Sequence, residues 1–390
     1  MKGKLKIAYV GDFLNHGKLL YTTGTPLVLL LSQLVEVERV EVFCPFKNKN
    51  SEDFMIPDKV IIHEIYHFGN PLSMLRLFSL KPQEFDIMIF NVVPTGFGDS
   101  SLPNIIGLFV PLFLTAMSRN KNIKLIYHNS TFTNEPYSLG YNRLYDKIRL
   151  KFLKRTEMVL FSRIKTYVLL NIYKTKIENN LKNIKIYYLN ATYLEAVTTV
   201  FLNNLQNSEL MLKSRENNNI TRVLMHGSWG PQKNLERALE VLQSLKNDGH
   251  KFTLTLSGTI NSHFMQFKSH FDDLLIRYKN IITDYKGFVS EKALLNLFSE
   301  NDLLILPYNS PGGHSGVLEQ GKFFEILTVA ADFDEYKEQA GNSERIILCK
   351  LDKLGEILRK CFERRYFSED ILIKAKILEA KNNVSAIIHG

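Results

Sequence analysis

The chain has 390 residues, 45% hydrophobic and 23% charged, which excludes a disordered or fibrous protein and allows two or three domains of ordinary size. Its net charge of +9 is lopsided: residues 1–200 hold 25 basic and 16 acidic side chains, the remainder 24 of each, and residues 101–200 alone hold 15 and 5. That bias favours an anionic partner such as a lipid surface, a phosphorylated acceptor or nucleic acid, and the three cysteines, Cys44, Cys349 and Cys361, show no disulfide framework or metal-ligand spacing and fit a reducing compartment.

The first apolar run, 7–10, is too short for a secretory signal and is followed by Asp12, so a cytoplasmic location is expected. Strands are expected at 5–10, 40–44, 60–65, 85–90, 123–127, 166–170 and 184–188, with helices at 26–37, 71–80 and 144–163. Most of these strands are rich in Ile, Val, Phe and Tyr and lack strict alternation, and continuous apolar runs point to a parallel sheet covered on both faces by helices. The segment IIGLFVPLFLTAM, 105–117, is too short to span a bilayer and contains Pro111; it reads as a buried helix ahead of a membrane-dipping element. The polar run QNSELMLKSRENNN, 206–219, reads as an interdomain linker.

The rhythm then restarts. Strands are expected at 222–226, 252–257, 281–285, 303–306, 326–330 and 345–348, with helices at 234–246, 263–279, 291–299 and 353–362. The fold expected is α/β: two Rossmann-like, doubly wound parallel-sheet domains facing a cleft, 1–205 and 220–390, with the last helix free to pack back on the first domain.

Two segments of the second half carry candidate chemistry. In RVLMHGSWGPQKNLERALEVLQSL a strand ends at His226–Gly227, and a loop with Gly230, Pro231 and Lys233 leads into an amphipathic helix. Such a joint places backbone N–H groups and the positive helix end at the carboxyl edge of the sheet, where Lys233 would neutralise a phosphate; an ordinary turn with a solvated lysine reads equally well. In KGFVSEKALLNLFSENDLLILPYNSPGGHSGVLEQGKFFE a strand ends at Pro307, and a loop with Gly312, Gly313 and His314 leads into a helix opened by Ser315–Gly316. There the N–H groups of Ser315, Gly316 and Val317 would cradle a pyrophosphate, and Glu319, one turn in, would accept from ribose hydroxyls or merely cap the helix. No Walker lysine pattern accompanies the loop, which argues against a P-loop ATPase.

These segments, in this order and spacing from about 222 to 337, resemble the donor domain of the GT-B glycosyltransferases, especially their large retaining family 4. The resemblance implies that Gly227 and Lys233 meet the donor diphosphate. It places Gly287, Phe288 and Val289 near the base, gives phosphate and sugar to the loop Gly312, Gly313, His314, Ser315, Gly316 and Val317, and gives the ribose to Glu319. Two departures stand out. The family pairs two glutamates eight positions apart, and here the first position is Pro311; a basic residue is also common where this chain has Ser228.

In the first half, GDFLNHGKLLYTTGTP, 11–26, resembles the family's first loop, with Gly11, Thr23, Gly24 and Thr25 nearest acceptor and diphosphate; it is not a dinucleotide fingerprint. In that family a histidine often ends the fifth strand and faces the cleft, which makes His128 the catalytic candidate; a histidine bonded to nearby backbone reads as well. The stretch YNRLYDKIRLKFLKRTEMVLFSRIK, from Tyr141 to Lys165, places basic and apolar residues at helical spacing. A core-packed helix with a solvated basic face stands slightly ahead of a helix lying on an anionic membrane, and nucleic acid is not expected.

The function implied is that of a hexosyltransferase-type glycosyltransferase. It would take a nucleotide-diphosphate sugar as donor and a glycan or lipid-linked acceptor, with retention and without metal or other cofactor. A sugar-nucleotide epimerase of the same fold, or a non-catalytic nucleotide-sugar-binding or partner subunit (suggested by Pro311), stands as the alternative.

Overall fold

The computed structural model describes residues 4–11, 13, 24–46, 56–92, 97, 101–118, 122–128, 130, 132, 144–181, 183–189, 220–289, 291–311 and 314–364. The described residues fall into two compact units, one before residue 206 and one after it. The expected linker 206–219 and the last helix lie outside the described residues.

In the N-terminal unit the described strands are β1 Leu5–Val10, β2 Val37–Pro45, β3 Val60–Tyr66, β4 Ile87–Val92, β5 Ile123–Tyr127, β6 Lys165–Val168 and β7 Tyr187–Tyr188. They pair in parallel in the order β3-β2-β1-β4-β5-β6-β7. Its helices are α1 Gly24–Gln33, α2 Pro71–Met74, α3 Ser101–Met117, α4 Leu144–Arg163 and α5 Asn171–Asn180. In the C-terminal unit β8 Thr221–His226, β9 Phe252–Ser257, β10 Ile282–Tyr285, β11 Leu303–Leu306, β12 Leu327–Ala331 and β13 Ile346–Cys349 form a parallel sheet ordered β10-β9-β8-β11-β12-β13. Helices α6 Leu235–Asn247, α7 Lys268–Arg277, α8 Glu291–Ser299, α9 Gly316–Phe323, α10 Asp334–Ala340 and α11 Leu354–Arg364 accompany it. Both sheets are those of a doubly wound α/β fold, and each reverses its order beside its first strand. Each unit has its own apolar core.

Central strands such as Leu303–Leu306 are buried at every position, which is why they read as unbroken apolar runs. Several boundaries differ from expectation. Helix α1 stops at Gln33, because Val37, Val40 and Val42 bury as β2. The expected helix 71–80 divides into α2, capped by Asn70 with Pro71 in its first turn, and a tighter turn over Leu75–Ser79. The expected helix 263–279 narrows to α7, preceded by another tight turn over Ser262–Phe267. Helix α3 is not buried all round: Leu102, Phe109, Phe113 and Met117 are exposed. Among the described residues no helix is long and apolar enough to cross a membrane.

Candidate functional site

In a doubly wound sheet, ligands bind beyond the carboxyl ends of the strands where the order reverses. In the C-terminal unit that point lies between β8 and β11. Strand β8 ends in His226, a buried ring whose Nδ1 lies 2.8 Å from Ser257 Oγ. Burial, with the charge of Lys233 adding to it, pushes its pKa down to about 4, so the ring is neutral. Gly227 follows at φ +145°. Its carbonyl is so close to Gly258, itself at φ +107°, that a Cβ at Gly258 would lie 1.7 Å from the Gly227 oxygen. Only glycine permits that approach. The loops after β8 and β9 are then laced together: Gly227 N–H donates to Ser257 O (3.2 Å), Trp229 N–H to Thr259 O (2.8 Å), and Asn261 N–H to Trp229 O (2.8 Å).

The chain next makes a tight turn, Pro231–Lys233, and Asn234 adopts a left-handed conformation (φ 50°, ψ 41°), so α6 begins one residue later than expected. Asn309, in the loop after β11, donates from its backbone to Gln232 O (3.0 Å) and from its side chain to Pro231 O (3.3 Å). That clamp brings Lys233 against Tyr308, with Nζ 3.6 Å from the ring centroid. The half-buried side chain lays its ammonium on the ring face, and burial lowers its pKa to about 7. Burial raises the pKa of the Tyr308 hydroxyl above its ordinary range. A Cβ built on Gly227 would touch both Tyr308 Oη and Val317 Cγ2 at 3.8 Å, so Gly227, Tyr308, Lys233 and the first turn of α9 converge.

Helix α9 starts with Ser315 as its cap, the side chain accepting from Leu318 N–H at 3.3 Å. Two residues expected to meet the ligand have partners inside the fold. The Ser315 N–H donates to Gln339 Oε1 at 3.0 Å. Glu319 is 1% exposed and turned into the fold, where Oε1 accepts from Gln339 Nε2 at 2.9 Å. His314 Nε2 and Lys322 Nζ each stand 4.0 Å from its carboxylate, and Lys322 donates to Gln339 O at 2.6 Å. Gln339 also donates to Ser315 O at 3.3 Å, so one buried amide grips both backbone groups of the cap. Tyr336, on the same helix α10, donates to Pro311 O at 3.1 Å. Among the described residues nothing accepts from the N–H groups of Gly316 and Val317, both half-buried. Gly312 and Gly313 lie outside the described residues. In the loop after β10, Gly287 O accepts from Gly258 N–H, Phe288 is exposed and Val289 is buried.

The corresponding point of the N-terminal unit lies between β1 and β4. Gly11 ends β1 so close to β4 that a Cβ would lie 2.9 Å from Asn91 O and 3.0 Å from Tyr9 Oη. Gly24 and Thr25 are buried at the start of α1, while Thr23 lies outside the described residues. His128, just past β5, is buried; its N–H donates to Val92 O at 3.1 Å, and its Nε2 lies 2.5 Å from Asn91 Oδ1. Asn91 Nδ2 in turn donates to Tyr9 Oη at 2.8 Å. Burial lowers the His128 pKa to about 4, leaving a neutral ring. The sequence did not single out Tyr9, Asn91, Tyr308 or Gln339; only their fixed offset from strand ends could have flagged the first three. Among the described residues no group of three or more His, Cys, Asp or Glu side chains is placed to hold a metal ion.

No family model and no curated protein matches the chain in sequence. Solved structures do match it in fold. Sucrose-phosphate synthase from Thermosynechococcus elongatus aligns over 98% of this chain and 95% of that one, with a TM-score of 0.63 and 11% identity. Anabaena HepE, in complex with UDP and glucose, aligns over 98% and 94% with a TM-score of 0.58 and 12% identity. UDP-GlcNAc 2-epimerase from Methanocaldococcus jannaschii aligns over 99% and 100% with a TM-score of 0.56 and 12% identity. Likeness at this level of identity speaks for architecture and not for chemistry. The chain therefore has the GT-B fold, the two-unit parallel α/β architecture of its glycosyltransferase neighbours.

Proposed function

We propose that the chain is a glycosyltransferase that moves a sugar from a nucleoside-diphosphate sugar to a glycan or lipid-linked acceptor. One observation carries this reading. At the order reversal of the C-terminal sheet, a half-buried ammonium (Lys233) and the N–H groups of Gly316 and Val317 stand around a spot that Gly227 leaves open. A cation and the positive end of a helix suit a diphosphate, and they stabilise the charge that grows as the sugar leaves. Gln339 and Glu319 then serve as the frame that fixes the helix end rather than as ligand contacts. In the N-terminal unit the neutral His128 suits a hydrogen bond to a sugar or acceptor hydroxyl, which would make it the catalytic contact there.

Retention at the anomeric carbon and membership of family 4 rest on the sequence resemblance, and with independence from metal they belong to the proposal. So do a cytoplasmic location and a peripheral contact with the membrane face. The epimerase neighbour favours a second reading, since the fold alone does not separate the two. Epimerisation needs carboxylates at the sugar, and the buried Glu157 and Glu319 are held by Tyr127, Ser130 and Gln339. Thermal shift against a series of nucleoside diphosphates tests the site, with UDP expected to raise the melting temperature and Lys233→Ala expected to cut the rise sharply at the same ligand concentration. Product analysis then separates released nucleoside diphosphate, expected here, from an epimerised donor. Binding without turnover against a panel of acceptors would instead mark a non-catalytic subunit.

A further inference from the structure

Four large apolar side chains on α3 are exposed: Leu102 (55%), Phe109, Phe113 and Met117 (71%). At 100° per residue, positions i, i+7, i+11 and i+15 fall within about 80° of arc, so they form one stripe. Helix α3 carries no charged residue along its whole length. Helix α4 shows a second stripe at the same kind of spacing, Ile148 (72%), Phe152 and Val159, all exposed. The two stripes meet where the rings of Phe109 and Phe152 lie 6.1 Å apart. On its far side the α3 stripe runs on through Phe113, 5.0 Å edge-on to Phe78, toward the exposed Leu75 and Leu72 (77%).

Exposed basic side chains stand around this apolar face: Arg76 at one margin, and Lys151, Arg155 and Arg163 along α4. The one acidic side chain described on α4, Glu157, is buried on the inner side of the helix, where it accepts from Tyr127 Oη (2.7 Å) and Ser130 Oγ (2.8 Å) and does not reach this face. The net charge of the whole chain resides in this half. Scattered exposed leucines need no explanation, but a continuous apolar face bordered by cations does.

We infer that the joined outer faces of α3 and α4 form a surface that seats on an anionic lipid bilayer. The phenylalanine, leucine and methionine side chains enter the acyl boundary, and the α4 cations meet the headgroups. The inference deepens the peripheral-membrane part of the preceding reading and names α3, not only the basic stretch 141–165, as its apolar half. Charge selects the occupant: a second copy would bring the same cations to the same face, and an uncharged partner would leave them unmatched.

The experiment is co-sedimentation of the full chain with phosphatidylcholine vesicles, with and without phosphatidylglycerol. Binding is expected only with phosphatidylglycerol and is expected to weaken as salt rises. Leu102→Ser with Met117→Ser should weaken it severalfold, and Lys151→Glu with Arg155→Glu about tenfold or more. These positions are solvent-exposed, and unchanged melting curves establish that the variants fold. Equal pelleting with neutral and anionic vesicles, or wild-type binding by both variants, overturns the inference. So does a wild-type dimer that Met117→Ser converts to monomer, which would make the face an interface between copies. The readout does not involve nucleotide, so a chain that binds vesicles but no UDP separates failure of the transferase reading from failure of this one.

Discussion

The two sheets reverse their strand order in the same way, between β1 and β4 in one and between β8 and β11 in the other, yet they furnish that point differently. In the N-terminal unit Tyr9, Asn91 and His128 form a chain of neutral groups, and burial keeps the ring uncharged. In the C-terminal unit a lysine lies over a tyrosine ring beside a helix end, with a buried carboxylate, histidine and second lysine behind it. The backbone framework is shared, so the charge of the ligand each unit suits is decided by a few residues just past the strand ends. A neutral, hydrogen-bonding surface fits hydroxyl groups, and a cationic one fits phosphates.

The contrast breaks most visibly through His128→Ala. We expect turnover at saturating donor to fall roughly a hundredfold, while UDP affinity by calorimetry stays within about twofold of wild type. A parallel loss of UDP affinity would dissolve the division of labour. Next in size, Lys233→Ala should weaken UDP binding ten- to hundredfold, about 1.5–3 kcal/mol for a charge-assisted hydrogen bond.

The lowered Lys233 pKa sharpens the contrast through pH. In the free protein this lysine loses its proton near pH 7, so a diphosphate must restore it, and UDP affinity should fall by up to about tenfold per pH unit above that point. The unfolded chain keeps the proton up to its ordinary pKa near 10.5, so it binds more protons than the fold in this window. Stability without ligand should therefore rise across the pH range in which UDP affinity falls, and Lys233→Met should flatten both curves. Titration and melting against pH measure the pair; curves moving in the same direction would refute the assignment of the charge to this residue.

The smallest effect expected is at Gln339→Leu. It leaves the Ser315 cap and one Glu319 oxygen short of a partner, at a cost of about 1–3 kcal/mol in the melting free energy. The donor KM should rise about threefold with kcat nearly unchanged, because the amide frames the helix end without touching the sugar. A fall in kcat at constant KM would instead place Gln339 at the reacting atoms.

The strands were legible where parallel pairing buries both faces: β11, LLIL, is an unbroken apolar run, and β1 and β5 are apolar but for Lys6 and Lys124, so all three begin and end where expected. Helix α10 was not, since its seven residues, DEYKEQA, are mostly polar although Tyr336 and Gln339 are buried. Helix α5 hid in the same way, with only Tyr173 and Ile177 turned inward among polar neighbours. Lys233 and Glu319 could be picked out by their place after a strand end. What Glu319 touches could not, because Gln339 reaches it through the packing of α9 on α10, twenty residues along the chain. The half-exposed state of α3 was equally hidden: a segment apolar on every side does not reveal which side the fold covers.

Because every strand of the C-terminal sheet runs the same way, its exits gather on one rim and its entries on the other. The turn between α6 and β9 belongs to the entry rim, and Gly249 there has φ +89° and open space where a side chain would stand. A reporter peptide spliced in after Gly249 would sit a full strand length, roughly 20 Å, from Lys233. It would let the protein be tethered or labelled while the chemistry at the opposite rim proceeds undisturbed.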